Sequence, residues 1–243
     1  ATVLELRTWG RRDLASFAWF EAPDPAALAR ADALLRDLGA IDALGAPTAI
    51  GRRVATIPAP PRIARLLIAA ADLGIPEDGA LVAAILAERD AAFRAAERRA
   101  GPSVGACDVC ARRERFLEAD RGRDAGLDRG GVRAVARARD QYLRLIGGAS
   151  NARGRRDEAD VEEALRKALL LAFPDRVARR RAKGSDDALM VGGRGLKIAP
   201  ESVVRDAEFF LAIDADLGRR GTHARALVRI ASAIEPAWLS AIG

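Results

Sequence analysis

Lysine is confined to Lys167, Lys183 and Lys197, and none follows a glycine and precedes a serine or threonine, so the chain has no GxxxxGK(S/T) phosphate loop. Nucleotide hydrolysis of that kind is excluded. Histidine occurs once, as His223, and cysteine twice, as Cys107 and Cys110. Zinc usually needs four ligands, so one CxxC and one histidine would have to recruit carboxylates or a second chain. The segment ACDVCARRERFLEA reads as the start of a helix with Asp108 or Ser103 near its cap, not as the strand-flanked turn of a redox enzyme, and two small reduced thiols are the reading preferred. His223, in GRRGTHARALV, has no nearby Ser or Cys to activate and reads as an exposed loop residue. No catalytic or metal residue is therefore expected. Aromatics make up 5% of the chain. Trp9, Phe17, Trp19 and Phe20 cluster early and Trp238 lies near the end, all in apolar company, as core or domain contacts would. No apolar run, 168–173 included, is long enough to span a bilayer, and ATVLELRTWG lacks a signal peptide's basic and apolar regions. A cytoplasmic location without membrane partners follows by default.

What remains is a chain of 243 residues, half of them hydrophobic, which suffices for one large domain or two to three small ones. Its net charge of +6 favours a polyanion such as nucleic acid. Abundant arginine beside alanine-filled helices is also the pattern of a coding sequence rich in G and C, so much of that charge is discounted as solvated surface.

Periodicity divides the chain into residues 1–58, 59–148, a linker at 149–160, and 161–243. In the first section Asp24 can cap a helix opening at Pro25, with Leu28, Ala31, Leu34, Leu35 and Leu38 on one face and Gly39 as its stop. Ile41, a turn at Gly45 and Pro47, and resumption at Thr48 and Ile50 read as a short hairpin, and helices beside such a wing point to a winged-helix fold. The second section is helical. Pro60 and Pro61 open a helix burying Ile63, Leu66, Leu67 and Ala70; Leu81 to Phe93 carries a stripe of Val82, Ile85, Leu86 and Phe93; and Val132 to Ile146 keeps rough helical phase. Gly101 to Gly105, Arg121 to Gly131 and Gly147 to Asp160 read as loops. In the last section Val161, Leu165, Ala168, Leu169, Ala172 and Phe173 mark a helix ended by Pro174. Four short strands follow: Ala188 to Val191 and Leu196 to Ile198 around a GGRG turn, Phe209 to Ile213, and Ala224 to Ile230. The fold class is mainly α with a C-terminal β section, and the strands fit a small barrel.

Several segments, in order, carry a family resemblance. LGAID at 38–42, TAIGRRVATIP at 48–58 and PRIARLLI at 61–68 resemble the region that follows the two motor domains of DEAH-box helicases. FAWFEAPDPAAL at 17–28 is similar to the family's preceding aromatic and proline segment. LAFPDRVARRR at 171–181, GGRG at 192–195 and EPAWL at 235–239 resemble the bacterial HrpB subgroup. This resemblance implies a C-terminal accessory region made of a winged helix, a helical ratchet (HA2-like) bundle and an oligonucleotide-binding-like (OB-like) barrel. ATP and Mg are then expected on motor domains outside this chain, which has neither their phosphate loop nor their acidic box, binds no cofactor itself and should be inactive alone. The absent initiator Met and the mid-protein start of the resemblance favour a fragment. The implied partners are single-stranded RNA or DNA and the motor domains of the same parent protein.

Three arginine groups are candidate contacts. Arg176, Arg179, Arg180, Arg181 and Lys183 form an acid-free run, extended by Arg194 and Lys197 around the GGRG turn, that offers forked donors to phosphate. Arg112, Arg113, Arg115, Arg133, Arg137 and Arg139 would lie on the bundle, although Glu114, Glu118 and Asp140 interleave at ion-pair spacing. Arg52, Arg53 and Arg62 are assigned to the motor-domain interface by the resemblance. The competing reading is a stand-alone winged-helix regulator of duplex DNA. It is disfavoured because the helix from Ala26 to Leu38 balances Arg30 and Arg36 with Asp32 and Asp37, whereas a recognition helix should be basic. A thiol oxidoreductase built on Cys107 is the weakest alternative.

Overall fold

The computed structural model describes residues 1–11, 13–88, 93, 103–123, 126–147, 157–216 and 225–240. It is helical as far as Ala172 and then forms a closed five-stranded barrel.

The N-terminal section holds α1 (Thr2–Thr8), α2 (Pro25–Asp37) and α3 (Ala49–Ala55). Asp24 caps α2 by accepting from the Ala26 amide at 3.0 Å, and Pro25 occupies the first turn, where its missing N–H costs nothing. Gly39 then takes φ +65° and turns the chain. The expected hairpin reduces to a single bridge between Ile41 and Pro47, closed by the Asp42 carboxylate, which accepts from the amides of Leu44 and Ala46. Thr48 and Ile50 do not resume a strand. The Thr48 hydroxyl accepts from the Gly51 amide at 3.0 Å and so starts α3. This correction has a local cause: a threonine whose hydroxyl can reach an amide three residues on is a helix cap as readily as a β-former.

Next come α4 (Pro61–Asp72) and α5 (Pro76–Ala87). α4 buries Ile63, Leu66, Leu67 and Ala70 as its spacing predicts. α5 begins five residues before the expected Leu81, because Pro76 opens it and Glu77 and Asp78 complement its dipole. Buried residues surround it from Ala80 to Ile85, so it is a core helix and not a one-sided amphipath. Phe93 is buried in a cluster with Leu81, Phe116 and Val135, while 89–92 lie outside the described residues.

Helices α6 (Asp108–Asp120), α7 (Arg129–Leu145) and α8 (Glu158–Ala172) complete this part. α8 starts within the expected linker, at Glu158; of the segments read as loops, 101–102, 124–125 and 148–156 lie outside the described residues. One hydrophobic cluster runs from Leu4 through α4, α5 and α8 to Leu211 and Ile234, so the sections share a core.

A 3-10 turn, Pro174–Arg176, leads into β1 (Val177–Arg180), β2 (Asp187–Met190), β3 (Arg194–Ile198), β4 (Phe209–Ala215) and β5 (Ala226–Ala233), followed by the short α9 (Pro236–Leu239). The barrel order is β1-β2-β3-β5-β4, with β4 returning to β1; β3 and β5 run parallel and the other neighbours antiparallel. Small residues, Ala178, Ala188, Ala212, Ala226 and Ala231, fill much of its interior around Phe210, Leu196 and Val228. Five strands replace the expected four. The additional one, β1, falls within the run read as a basic connection, and its alternation was masked because the inward position after Ala178 is an arginine, Arg180.

Candidate nucleic-acid interface

Strand pairing brings together most of the barrel cations that the sequence singled out. Across the outer face Arg179 stands opposite Leu189, Leu189 opposite Gly195 and Asp187 opposite Lys197, whereas Arg194 is paired with core residue Met190 and takes the inward phase at the end of the barrel. The Arg181 amide bonds to the Asp187 carbonyl at 2.9 Å, which sets it one rung beyond Arg179. Lys183 follows in the β1–β2 turn. Among the described residues Arg181, Lys183, Arg194 and Lys197 make no ion pair, and Arg181, Lys183 and Lys197 are exposed. Arg179 lies over the Phe209 ring and pairs with Glu208 at 2.8 Å, both groups largely in solvent. Such a pair contributes little and can yield its guanidinium to a stronger anion. Arg225, which the pattern did not single out, lies just before β5 beside Gly195 of β3 and pairs with Asp187 at 2.6 Å. Exposed Leu189 and Val191 lie on the same outer surface.

Two members of the run leave this track. Arg180 is buried inside the barrel mouth, where it donates to the carbonyls of Ala207, Val204 and Ser185 and lies over Phe210. Burial lowers its pKa, and its role is to satisfy orphan carbonyls. Arg176 is half-buried beside Asp175 at 3.6 Å; burial and then the Arg62 charge lower its pKa.

The bundle group divides as well. Arg112 and Arg113 are buried, contrary to the expectation of phosphate contact. Arg112 lies over the Phe93 ring, and Arg113 pairs with Asp78 at 2.7 Å and with Glu158, joining α5, α6 and α8. Helical spacing placed them on α6 without revealing that this face packs inward. Arg139 pairs with Asp140 and Asp120. Arg133 and Arg137 are exposed on α7, and Arg129 and Arg144 extend them into one ridge at spacings of four, four and seven. That repeat was readable and could have added the two outer arginines.

Of the third group, Arg52 donates to the Pro47 carbonyl, and Arg53 forms two hydrogen bonds of 2.8 Å to Asp72 with both side chains half in solvent. Arg62 is committed within the molecule, to Asp175. His223 lies outside the described residues. No group of three or more His, Cys, Asp or Glu among the described residues could hold a metal ion, and no described helix is long and apolar enough to cross a membrane.

No protein-family model matches the chain. It is 36% identical over 72 residues to the probable ATP-dependent RNA helicase DHR2 of Saccharomyces cerevisiae, covering 30% of this chain and 10% of that protein. It is 32% identical over 120 residues to the probable ATP-dependent RNA helicase DHX34 of Homo sapiens, covering 49% of this chain and 10% of that protein. The crystal structure of the E. coli DExH-box NTPase HrpB matches 99% of this chain with 25% of its own, at a TM-score of 0.68 and 23% identity. A second crystal structure, of the E. coli DEAH/RHA helicase HrpB, matches 97% with 25%, at a TM-score of 0.63 and 23% identity. Fold and local similarity thus define the class of fold: that of a region of DEAH/DExH-box helicases, in keeping with the resemblance in the sequence. The particular fold it carries is that of a region of HrpB-type helicases. The chain spans about a quarter of the HrpB chains and a tenth of the curated relatives. A stand-alone winged-helix regulator is not favoured beside these matches.

Proposed function

We propose that this region is the accessory nucleic-acid-binding part of an ATP-dependent, HrpB-like helicase of the cytoplasm. It guides a single strand of RNA or DNA while motor domains elsewhere in the parent protein bind ATP and Mg and hydrolyse the nucleotide. In this reading residues 1–58 form the winged-helix-like section, 59–148 the ratchet bundle and 161–243 the OB-like barrel. The β1-β2-β3-β5-β4 closure with parallel β3 and β5 supports the last, since a five-stranded Greek-key barrel of this kind offers its β2–β3 face to oligonucleotides. Arg52 and Arg53, still solvent-accessible, form the side proposed to meet the motor domains.

The observation that carries the reading is the set of exposed cations Arg181 and Lys197 on the outer barrel face and Lys183 in the adjoining turn, which make no ion pair among the described residues. A strand crossing β1, β2 and β3 would place its phosphates against this set, and Arg179 could join by exchanging Glu208 for phosphate. Exposed aromatics for base stacking are lacking on this face, so the binding is phosphate-led and tolerant of sequence. The test is fluorescence anisotropy of labelled oligouridylate and oligothymidylate across a salt series, with Arg181→Glu, Lys183→Glu and Lys197→Glu combined. The triple variant should lose at least tenfold in affinity, and its log–log salt slope should fall by roughly 0.7 per lost phosphate contact. Unchanged affinity and slope would overturn the proposal, as would preference for one palindromic duplex.

A further inference from the structure

The joint between α6 and the barrel contains chemistry that strand guidance does not use. Cys107 is the N-cap of α6 and Cys110 lies three residues on, in its first turn. Both are free and buried, at 2% and 4% exposure. The Cys110 amide donates to the Cys107 sulfur at 3.4 Å, and the two side chains also interact directly. Cys107 forms an antiparallel bridge with Ser232 of β5, whose fully buried hydroxyl finds no oxygen or nitrogen partner among the described residues and faces the Cys107 sulfur. Burial pushes the Cys107 thiol up, but the Cys110 side chain and amide and the nearby Ser232 hydroxyl outweigh it and hold its pKa below the ordinary value. Cys110 is pushed up by its bond to Cys107 and by burial. Cys107, at the N-terminus of α6 with an amide aimed at its sulfur, is the one placed to act as nucleophile.

The geometry points to Cys107 and Cys110 as a redox modification site, a dithiol that hydrogen peroxide closes to an intramolecular disulfide, with Cys107 attacking and Cys110 resolving. A small neutral peroxide is the oxidant class that such burial admits, since a bulky disulfide cannot reach either sulfur. In the first step the Cys107 thiolate attacks a peroxide oxygen and the O–O bond breaks. The departing hydroxide takes the proton released by Cys107 to become water, leaving a sulfenic acid on Cys107. In the second step the Cys110 sulfur attacks the Cys107 sulfur, the S–O bond breaks, and hydroxide leaves with the Cys110 proton as a second water. Two electrons pass from the two thiols to one peroxide.

The position gives the bond something to act on. Asp108, between the cysteines, accepts from the Ser202 hydroxyl at 2.8 Å and from the Val203 and Ala231 amides at 2.7 Å each, fastening α6 to the barrel. A disulfide in this turn fixes that fastening. The experiment treats the full chain with hydrogen peroxide, quenches, unfolds it in denaturant and counts free thiols, with peptide mass spectrometry to locate the products. Both thiols should disappear together into one internal disulfide and return with dithiothreitol. In Cys110→Ser, a sulfenic acid should accumulate on Cys107 and be trapped by a cyclic 1,3-dione. Thiols that survive a peroxide dose sufficient for the unfolded chain would overturn the proposal. So would a disulfide between two chains, or conversion of a single cysteine to sulfinic acid without a disulfide. The thiol count on the unmodified sequence decides the matter even if a variant fails to fold.

Discussion

Arg62 holds Asp175 through two parallel hydrogen bonds, of 2.6 and 2.7 Å, across 113 residues of sequence. The same guanidinium donates to the Ala172 carbonyl at 3.1 Å and lies over the Phe173 ring at 5.2 Å. It thus satisfies a carbonyl that the end of α8 leaves without an intrahelical partner and fixes the turn by which the chain enters the barrel. Because both side chains are partly buried, Arg62→Met should destabilise the chain by about 2 kcal/mol, less than the full cost of breaking a buried pair. A double-mutant cycle with Asp175→Asn, read by urea unfolding, should give a coupling of about 1 kcal/mol or more. A coupling near zero would make the contact incidental.

The same pair sets an acid dependence. Burial alone would raise the Asp175 pKa, but the Arg62 hydrogen bond and the charges of Arg62 and Arg176 outweigh it and hold the carboxyl below its ordinary value. Asp175 consequently contributes stability that is complete above the unfolded pKa of about 4 and is lost as pH falls through the lower folded value. Asp37 nearby acts in the opposite direction, raised by burial and by the Asp175 charge, and takes up its proton first. The urea midpoint should therefore fall on acidification below about pH 4, and the fall should be shallower in Arg62→Met. Parallel acid limbs in the two proteins would refute this assignment.

These two contacts also show where the sequence was legible. Proline and glycine punctuation located α2 and α4, and the apolar spacing of α8 identified its buried face, because local chemistry determines those features. The GGRG turn located β2 and β3, a continuous apolar run β4, and alternation most of β5, for the same reason. Local spacing could not distinguish Arg62, Arg113 and Arg180 from their exposed neighbours. Their partners are Asp175, Asp78 with Glu158, and carbonyls of the 185–207 segment, and those partners arrive only when the sections pack. Arg179, Arg181 and Lys197 share the outer face, and Arg176, Arg180 and Arg194 do not, because strand pairing, not charge density, decides which cations lie together. The ion pairs on α6 were anticipated as surface pairs, whereas Arg113 uses its pairs to bury itself.

Glycines at helix contacts offer a stability test unrelated to charge. A Cβ placed on Gly79 in α5 would collide with the Ala70 side chain of α4, and one on Gly51 in α3 would run into the Ala40 carbonyl. Neither obstacle can swing aside, since an alanine Cβ moves only with its backbone, and overpacking of this kind costs roughly 1–3 kcal/mol or more; the approach at Gly51 is the closer and meets three backbone atoms of Ala40. Gly51→Ala should thus lower the unfolding midpoint more than Gly79→Ala, despite the gain in helix propensity that both carry. The comparison requires only thermal denaturation of two single variants, and the reverse order would contradict the packing described.

The ridge on α7 poses a sharper question, because it opposes stability to binding. Arg133 has Arg129 four residues before it and Arg137 four residues after it, and like charges at that spacing repel by roughly 0.2–0.5 kcal/mol per pair. Arg133→Glu turns both repulsions into attractions, and with the side chain exposed there is no packing to lose. The variant should therefore be more stable by about 0.5–1 kcal/mol in urea at low salt, with the gain shrinking as salt is added. If this ridge touches the strand, the same variant should bind oligouridylate more weakly and with a shallower salt slope, independently of the barrel substitutions. A more stable protein with unchanged affinity would confine the strand to the barrel face. A less stable one would mean that Arg133 has an attractive partner that outweighs its two repulsive neighbours, and would remove the electrostatic argument for the ridge.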